Sequence, residues 1–188
     1  TKHPPLQTNS RRAVVGGSTK DDQRYLRLWL EADETNISRT RKLSQQHHWS
    51  LFAKGGSFSP FYADVHLVVN WFRDGSELKA DIAKYRGSRG WGYHWTAALN
   101  GHDDYFRSGL TWPRRTDGLS FRALPAGCIF ADKGPAAFVA GEDPQDLLAL
   151  SAVLNSRAFA YLVGVQLART ELAQSYEVGL IQRTPIPD

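Results

Sequence analysis

The run from Tyr105 to Gly134, YFRSGLTWPRRTDGLSFRALPAGCIFADKG, restricts the fold more than any other stretch. Asp117-Gly118 and Pro125-Ala126-Gly127 are turn signals, because glycine reaches left-handed backbone freely and proline cannot donate to a ladder. They cut the run into pieces too short for a helix. Three short strands are therefore predicted: Leu110 to Trp112, Ser120 to Leu124 and Cys128 to Asp132. The same run interleaves Arg107, Arg114, Arg115 and Arg122 with Tyr105, Phe106, Trp112, Phe121 and Phe130. A guanidinium is permanently charged, forks toward phosphate and base edges, and stacks on flat rings. Basic residues set among aromatics in this way read first as a nucleic-acid contact.

Charge points the same way. The 188 residues carry a formal net charge of +4, and the segment from Lys84 to Arg122, with seven basic residues against three carboxylates, alone equals that excess. At 41% apolar and 12% aromatic residues the chain is globular and long enough for one domain with its own core. The single Cys128 excludes an internal disulfide framework and a four-cysteine zinc site; its natural setting is a reducing cytoplasm. No apolar run is long enough to span a bilayer, so no membrane partner is expected. The chain contains no methionine. With both ends looking like cuts, it is expected to be a fragment of a larger chain.

Taken in order, residues 1–13 hold Pro4-Pro5 and Arg11-Arg12 with little apolar content and read as a linker or arm, leaving 14–188 as the domain. Ala13 to Val15 forms a short strand running into Gly16-Gly17. Asp21-Asp22 precedes Tyr25, Leu26, Leu28 and Trp29, which suits an Asp-capped short helix or, nearly as well, a strand. Residues 33–48, with Arg39, Arg41 and Lys42, form an exposed loop or short helix. Val65 to Trp71 is a strand ending at the Asp74-Gly75 turn, and Glu77 to Tyr85 is helical. Arg86 to Trp95 has too many glycines for a regular element and reads as an exposed basic-aromatic loop. Asp143 as N-cap with Pro144 at the first helical position opens the clearest helical region, Asp143 to Thr170, broken at Asn155-Ser156 into a helical hairpin. The tail from Ser175 to Pro187 is extended. Trp29, Trp49, Trp71 and Cys128 are core residues. The fold class is α+β: a mixed, largely antiparallel short-strand sheet with a C-terminal helical hairpin on one side.

Enzymatic chemistry is thinly supported. His47-His48 lacks partners at metal-ligand spacing. Asp74, Glu77 and Lys79 echo the carboxylate and lysine set of metal-dependent nucleases, but a hairpin end beside a solvated helix face fits better. Gly16-Gly17 and Gly55-Gly56 lack the spacing of a phosphate-binding fingerprint. The positive residues carry the reading instead. Arg114 and Arg115 lead, followed by Arg107, Thr111, Arg122, Lys54, Arg86, Arg89, Lys20 and Arg24. An alternative is protein docking through Trp91, Tyr93 and Trp95.

Residues 17–29, GSTKDDQRYLRLW, resemble the G-x-x-T-G-D-N-x-R-F-L-R-x-W run of PglX-like adenine-specific DNA methyltransferases, large enzymes of phage-defence and fused restriction-modification systems. Trp49 with Lys54-Gly55-Gly56, Val69-Asn70-Trp71 with Asp74-Gly75, Tyr105 to Trp112, Phe121 to Phe130 and Leu154-Asn155-Ser156 are similar to successive blocks of the same region. The resemblance runs in order over residues 14–187. It implies a target-recognition region for double-stranded DNA, attached to a methyltransferase domain of the same parent chain, with other defence-system subunits as further partners. The family's S-adenosylmethionine-binding glycine motif and its Asn-Pro-Pro-Tyr motif are absent from this sequence. No catalytic residue and no cofactor therefore carry over to this fragment, although the parent enzyme is expected to use S-adenosylmethionine. Lys20 stands where the family has glycine.

Overall fold

The computed structural model describes residues 3–40, 47–167 and 174–187. It is an α+β fold built in three layers, with a four-stranded sheet in the middle. The strands are β1 (Arg11–Val14), β2 (Leu26–Leu28), β3 (Ile37–Ser38), β4 (Trp49–Ala53), β5 (Leu67–Asn70), β6 (Gly109–Thr111), β7 (Arg115–Thr116), β8 (Arg122–Leu124), β9 (Cys128–Phe130), β10 (Ala136–Val139) and β11 (Gln174–Ser175). The α-helices are α1 (Asp22–Tyr25), α2 (Phe72–Gly87), α3 (Pro144–Leu154), α4 (Arg157–Gly164) and α5 (Val178–Arg183).

The middle sheet has the order β1-β10-β6-β8, antiparallel throughout. All four residues of β10 are buried. Successive side chains on a strand point to opposite faces. Ala136 and Phe138 accordingly join one core with Leu51, Val69, Trp71, Leu78 and Phe130, while Ala137 and Val139 join a second with Trp112, Phe121, Leu154, Phe159 and Ile181. The sheet is thus covered on both sides. On the first side lies a mixed sheet in which β4 pairs antiparallel with β5, and β5 with β2. The other edge of β4 is shared end to end by two parallel partners, β3 against Trp49-Ser50 and β9 against residues 51–53. On the second side lie α3, α4 and α5.

Local chemistry explains most element ends. Asp21 caps α1 by accepting from the Arg24 amide, and Asp143 caps α3 by accepting from the Gln145 and Asp146 amides. The helix and strand readings of 21–30 are both realised, one after the other. Arg73, Asp74 and Gly75 are all left-handed, so the Asp-Gly turn stands and the regular helix follows it. The pair α3 and α4 turns through 59° at Asn155-Ser156. Ser156 caps α4 by accepting from the Phe159 amide.

Several expectations are corrected. Residues 3–13 do not hang off the body as an arm. Leu6 is fully buried, its amide donates to the Thr184 carbonyl, and β1 pairs along β10. The tail is not extended throughout: α5 buries Val178, Leu180 and Ile181. Among the tryptophans expected in the core, Trp71 is buried, Trp49 half-buried and Trp29 exposed. Buried Cys128 does sit in the core, where burial pushes its thiol pKa up to about 12. The expected basic residues Arg41 and Lys42, and the helix end at 168–170, lie outside the described residues. No single helix among the described residues is long and apolar enough to cross a membrane.

Candidate nucleic-acid interface

Four loops meet at one end of the two sheets. Main-chain hydrogen bonds hold them together. The Asp132 amide donates to the Gly17 carbonyl, the Ala131 amide to the Ala53 carbonyl, and the Arg114 amide to the Lys133 carbonyl, each at 2.9–3.0 Å. A Cβ added at Gly55 would lie 2.4 Å from the Lys133 carbonyl oxygen, so only glycine allows that approach. The segments so joined carry Lys20, Lys54, Arg114, Arg115 and Lys133, positions that span more than a hundred residues of sequence.

Their charges are not equally available. Lys54 pairs with Asp22, and Arg114 approaches Glu177 at 3.6 Å. Burial alone would raise the Asp22 pKa. Its bonds to Lys54 and Thr19, with the charges of Lys54 and Lys133, outweigh burial and hold it below the usual value. Lys20, Lys133 and Arg115 are exposed and have no ion-pair partner among the described residues. Lys20 is also left-handed at φ 65°. This chain places a cation on that backbone at a conformational cost of about 1–2 kcal/mol.

The remaining predicted contacts are placed elsewhere. Thr111 is 3% exposed, and its hydroxyl donates to the Gly134 and Pro135 carbonyls. Each of the three guanidinium nitrogens of Arg107 is bonded, to Asp104, Glu142 and the Val139 carbonyl, while its face covers the Phe138 ring. Arg122 is buried and donates to the Gly55 and Ser57 carbonyls. These bonds hold all three within the frame, where Arg122 also lines a cavity under the loop from β4 to β5. Arg24 is neutralised by Glu77 at 2.6 Å and Asp81 at 2.5 Å.

Arg86 and Arg89 form a second, self-contained group at the end of α2. Arg86 donates to the Trp91 carbonyl at 2.7 Å, and Arg89 lies over the rings of Tyr85 and Trp91. Trp91 and Tyr93 are exposed, with the Tyr93 ring resting on Gly87.

Sequence reasoning missed Lys133. The strand expected from the sequence ends at Asp132, and nothing in the sequence signals the main-chain bond from the Arg114 amide to the Lys133 carbonyl. The metal readings find no support in donor geometry. Asp74 pairs with Lys79, Glu77 with Arg24, and no group of three His, Cys, Asp or Glu among the described residues is arranged to hold a metal ion. His48 stacks on Phe72 at 4.1 Å. The glycine loop at 16–17 is packed against protein, since a Cβ at Gly16 would lie 2.3 Å from the Phe130 carbonyl oxygen.

No protein-family model matches the chain. It is 29% identical over 162 residues, 85% of its length, to the adenine-specific methyltransferase BrxX of Escherichia coli O9:H4 (strain HS). It is 30% identical over 151 residues, 78% of its length, to the adenine-specific methyltransferase PglX of Lacticaseibacillus casei (strain Zhang). In both cases the match spans 12% of the relative. At the level of the family, about four-fifths of this chain is related to one short stretch of the adenine-specific methyltransferases BrxX and PglX.

Proposed function

We propose that this chain is a sequence-specific recognition module for double-stranded DNA within an adenine-specific DNA methyltransferase of a phage-defence or restriction-modification system. The observation that carries the reading is the convergence of Lys20, Lys54, Arg114, Arg115 and Lys133 on four loops tied by main-chain bonds. Three of these cations have no ion-pair partner among the described residues. Lysines in such a cluster contact phosphates and fix register, while an exposed arginine such as Arg115 can fork onto a guanine edge in the major groove. Chemistry on the adenine amino group requires that the base leave the stack. The module's part is to grip the duplex and hold its deformation while a separate catalytic domain acts. S-adenosylmethionine belongs, in this proposal, to the parent enzyme. A cytoplasmic setting follows from the same reading.

The test is duplex binding across salt concentrations. With the three unpaired cations on phosphates, log K falls against log salt with a slope of about −3, and Arg115→Ala removes about one unit of it if its contact is to phosphate. If Arg115 reads a base, the slope stays and affinity drops by about 1–3 kcal/mol. Salt-independent binding, or no effect of Arg115→Ala on either quantity, refutes the reading.

One observation favours a second reading. Trp91 and Tyr93 are 56% and 73% exposed beside Arg89, which suits docking of another subunit of such a system. Capture of that subunit unaffected by nuclease treatment, and lost in Trp91→Ala, supports it; capture abolished by nuclease refutes it.

A further inference from the structure

The loop from β4 to β5 arches over a cavity of about 250 Å³ whose wall includes Gly55, Gly56, Asp64, His66, Thr111 and Arg122. Arg122 is the unusual member. It stands on β8 opposite Thr111, is 6% exposed, and has no carboxylate within ion-pairing distance among the described residues. Buried charges are ordinarily paired with an opposite charge, because removing an ion from water costs several kcal/mol. Here two backbone carbonyls, of Gly55 and Ser57, take one donor each from its terminal nitrogens, and a guanidinium has five. Burial pulls its pKa below the ordinary value.

The loop is shaped around this group. Gly55 and Gly56 hold φ of +84° and +125°, values that L side chains rarely adopt. A Cβ at Gly56 would lie 3.5 Å from an Arg122 terminal nitrogen, so the loop backbone passes close to the guanidinium. The cavity is about eight times the ~30 Å³ that one water occupies in the liquid, room for a polyatomic anion. Asp64 also lines the wall, but its Oδ1 already accepts from the Tyr62 hydroxyl at 2.5 Å and it makes no ion pair with Arg122.

We propose that this cavity is a binding site for a phosphate group, received by the unused donors of Arg122 beneath the glycine-rich loop. The chemistry admits two sources, a phosphodiester of nucleic acid or a free phosphate. The site does not depend on the duplex reading.

The experiment follows the Arg122 Nε–Hε and Gly56 amide resonances of the ¹⁵N-labelled chain. Inorganic phosphate, potassium chloride at matched ionic strength and a short DNA duplex are titrated separately. Saturable shifts with phosphate but not chloride support the site. Shifts with the duplex alone also support it and assign the source as a phosphodiester. Equal shifts with chloride, or none with either phosphate source, overturn it. Shifts with inorganic phosphate alone assign the source as a free phosphate, and a duplex that binds while neither it nor phosphate moves these resonances refutes this site and leaves the DNA reading standing. Arg122→Met weakens phosphate binding at least about tenfold, and Arg122→Lys recovers part of that loss. A folded Arg122→Met chain with undiminished phosphate shifts at Gly56 overturns the proposal. If Arg122→Met does not fold, the titration of the unmutated chain decides.

Discussion

Asn155 links the helical layer to the middle sheet, and its removal has a calculable cost. Its Oδ1 accepts from the Phe121 amide at 2.9 Å. Its Nδ2 donates to the Phe121 carbonyl at 2.9 Å and to the Ser151 carbonyl at 3.0 Å. In Asn155→Ala the two carbonyls keep other donors, the Phe61 amide at 2.8 Å and the residue-155 amide at 3.1 Å. The Phe121 amide, beside a fully buried ring, is left with none. An orphaned buried donor costs about 1–3 kcal/mol and the bonds lost elsewhere about 1 more, so the expected loss is about 2–4 kcal/mol. Urea unfolding followed by tryptophan fluorescence reads this as a lower midpoint at unchanged slope. A loss below about 1 kcal/mol refutes the reasoning. Asn155→Asp sharpens the test: one oxygen still serves the Phe121 amide, but the other faces two carbonyls. The fold then favours the protonated carboxyl, raising its pKa. The variant's deficit is small below pH ~3.9 and grows as pH rises through the elevated value. A deficit independent of pH contradicts this geometry.

Other perturbations follow from the same structure. The Cys128 thiol stays unreactive toward disulfide reagents at pH 8 until the chain unfolds, because burial pushes its pKa up to about 12. The native state keeps this proton where the unfolded chain has lost it, so stability falls from about pH 9 upward; rapid thiol labelling of native protein at pH 8 refutes its burial. Asp104, ion-paired with Arg12 at 2.6 Å and hydrogen-bonded by Arg107 at 2.7 Å, is itself 1% exposed. Asp104→Asn lowers stability by about 3 kcal/mol in thermal denaturation, and an unchanged midpoint counts against its role. Lys20→Gly relieves the left-handed backbone, raising stability by up to about 1 kcal/mol while weakening duplex binding. A variant that is less stable and binds equally well contradicts both assignments.

The sequence made local features readable and left distant ones hidden. Asp143-Pro144, the Asp74-Gly75 turn and the strands near 110, 122 and 129 were legible because each is dictated by residues within one turn or strand. The strand β10 was not, since Ala136 to Val139 is buried on both faces and so shows no polar alternation. The helix α5 was hidden behind the prolines that follow it. Arg107 and Arg115 look alike in sequence. What separates them is Glu142, which reaches Arg107 from 35 residues away, while no carboxylate among the described residues pairs with Arg115. The family resemblance placed the Leu-Asn-Ser step at 154–156, but its meaning is structural: a core leucine, the clamp on Phe121, and the cap of α4.

The loops that gather the cations are joined by main chain to main chain, through bonds such as Arg114 to Lys133, Ala131 to Ala53 and Phe61 to Phe121. None of these bonds depends on which side chain either residue carries. The exposed positions at 58, 115 and 133 can therefore be exchanged while the scaffold beneath keeps its shape. Within such a frame a lineage can rewrite what it contacts one substitution at a time, with the cost of each trial confined to binding and the folding of the domain left intact.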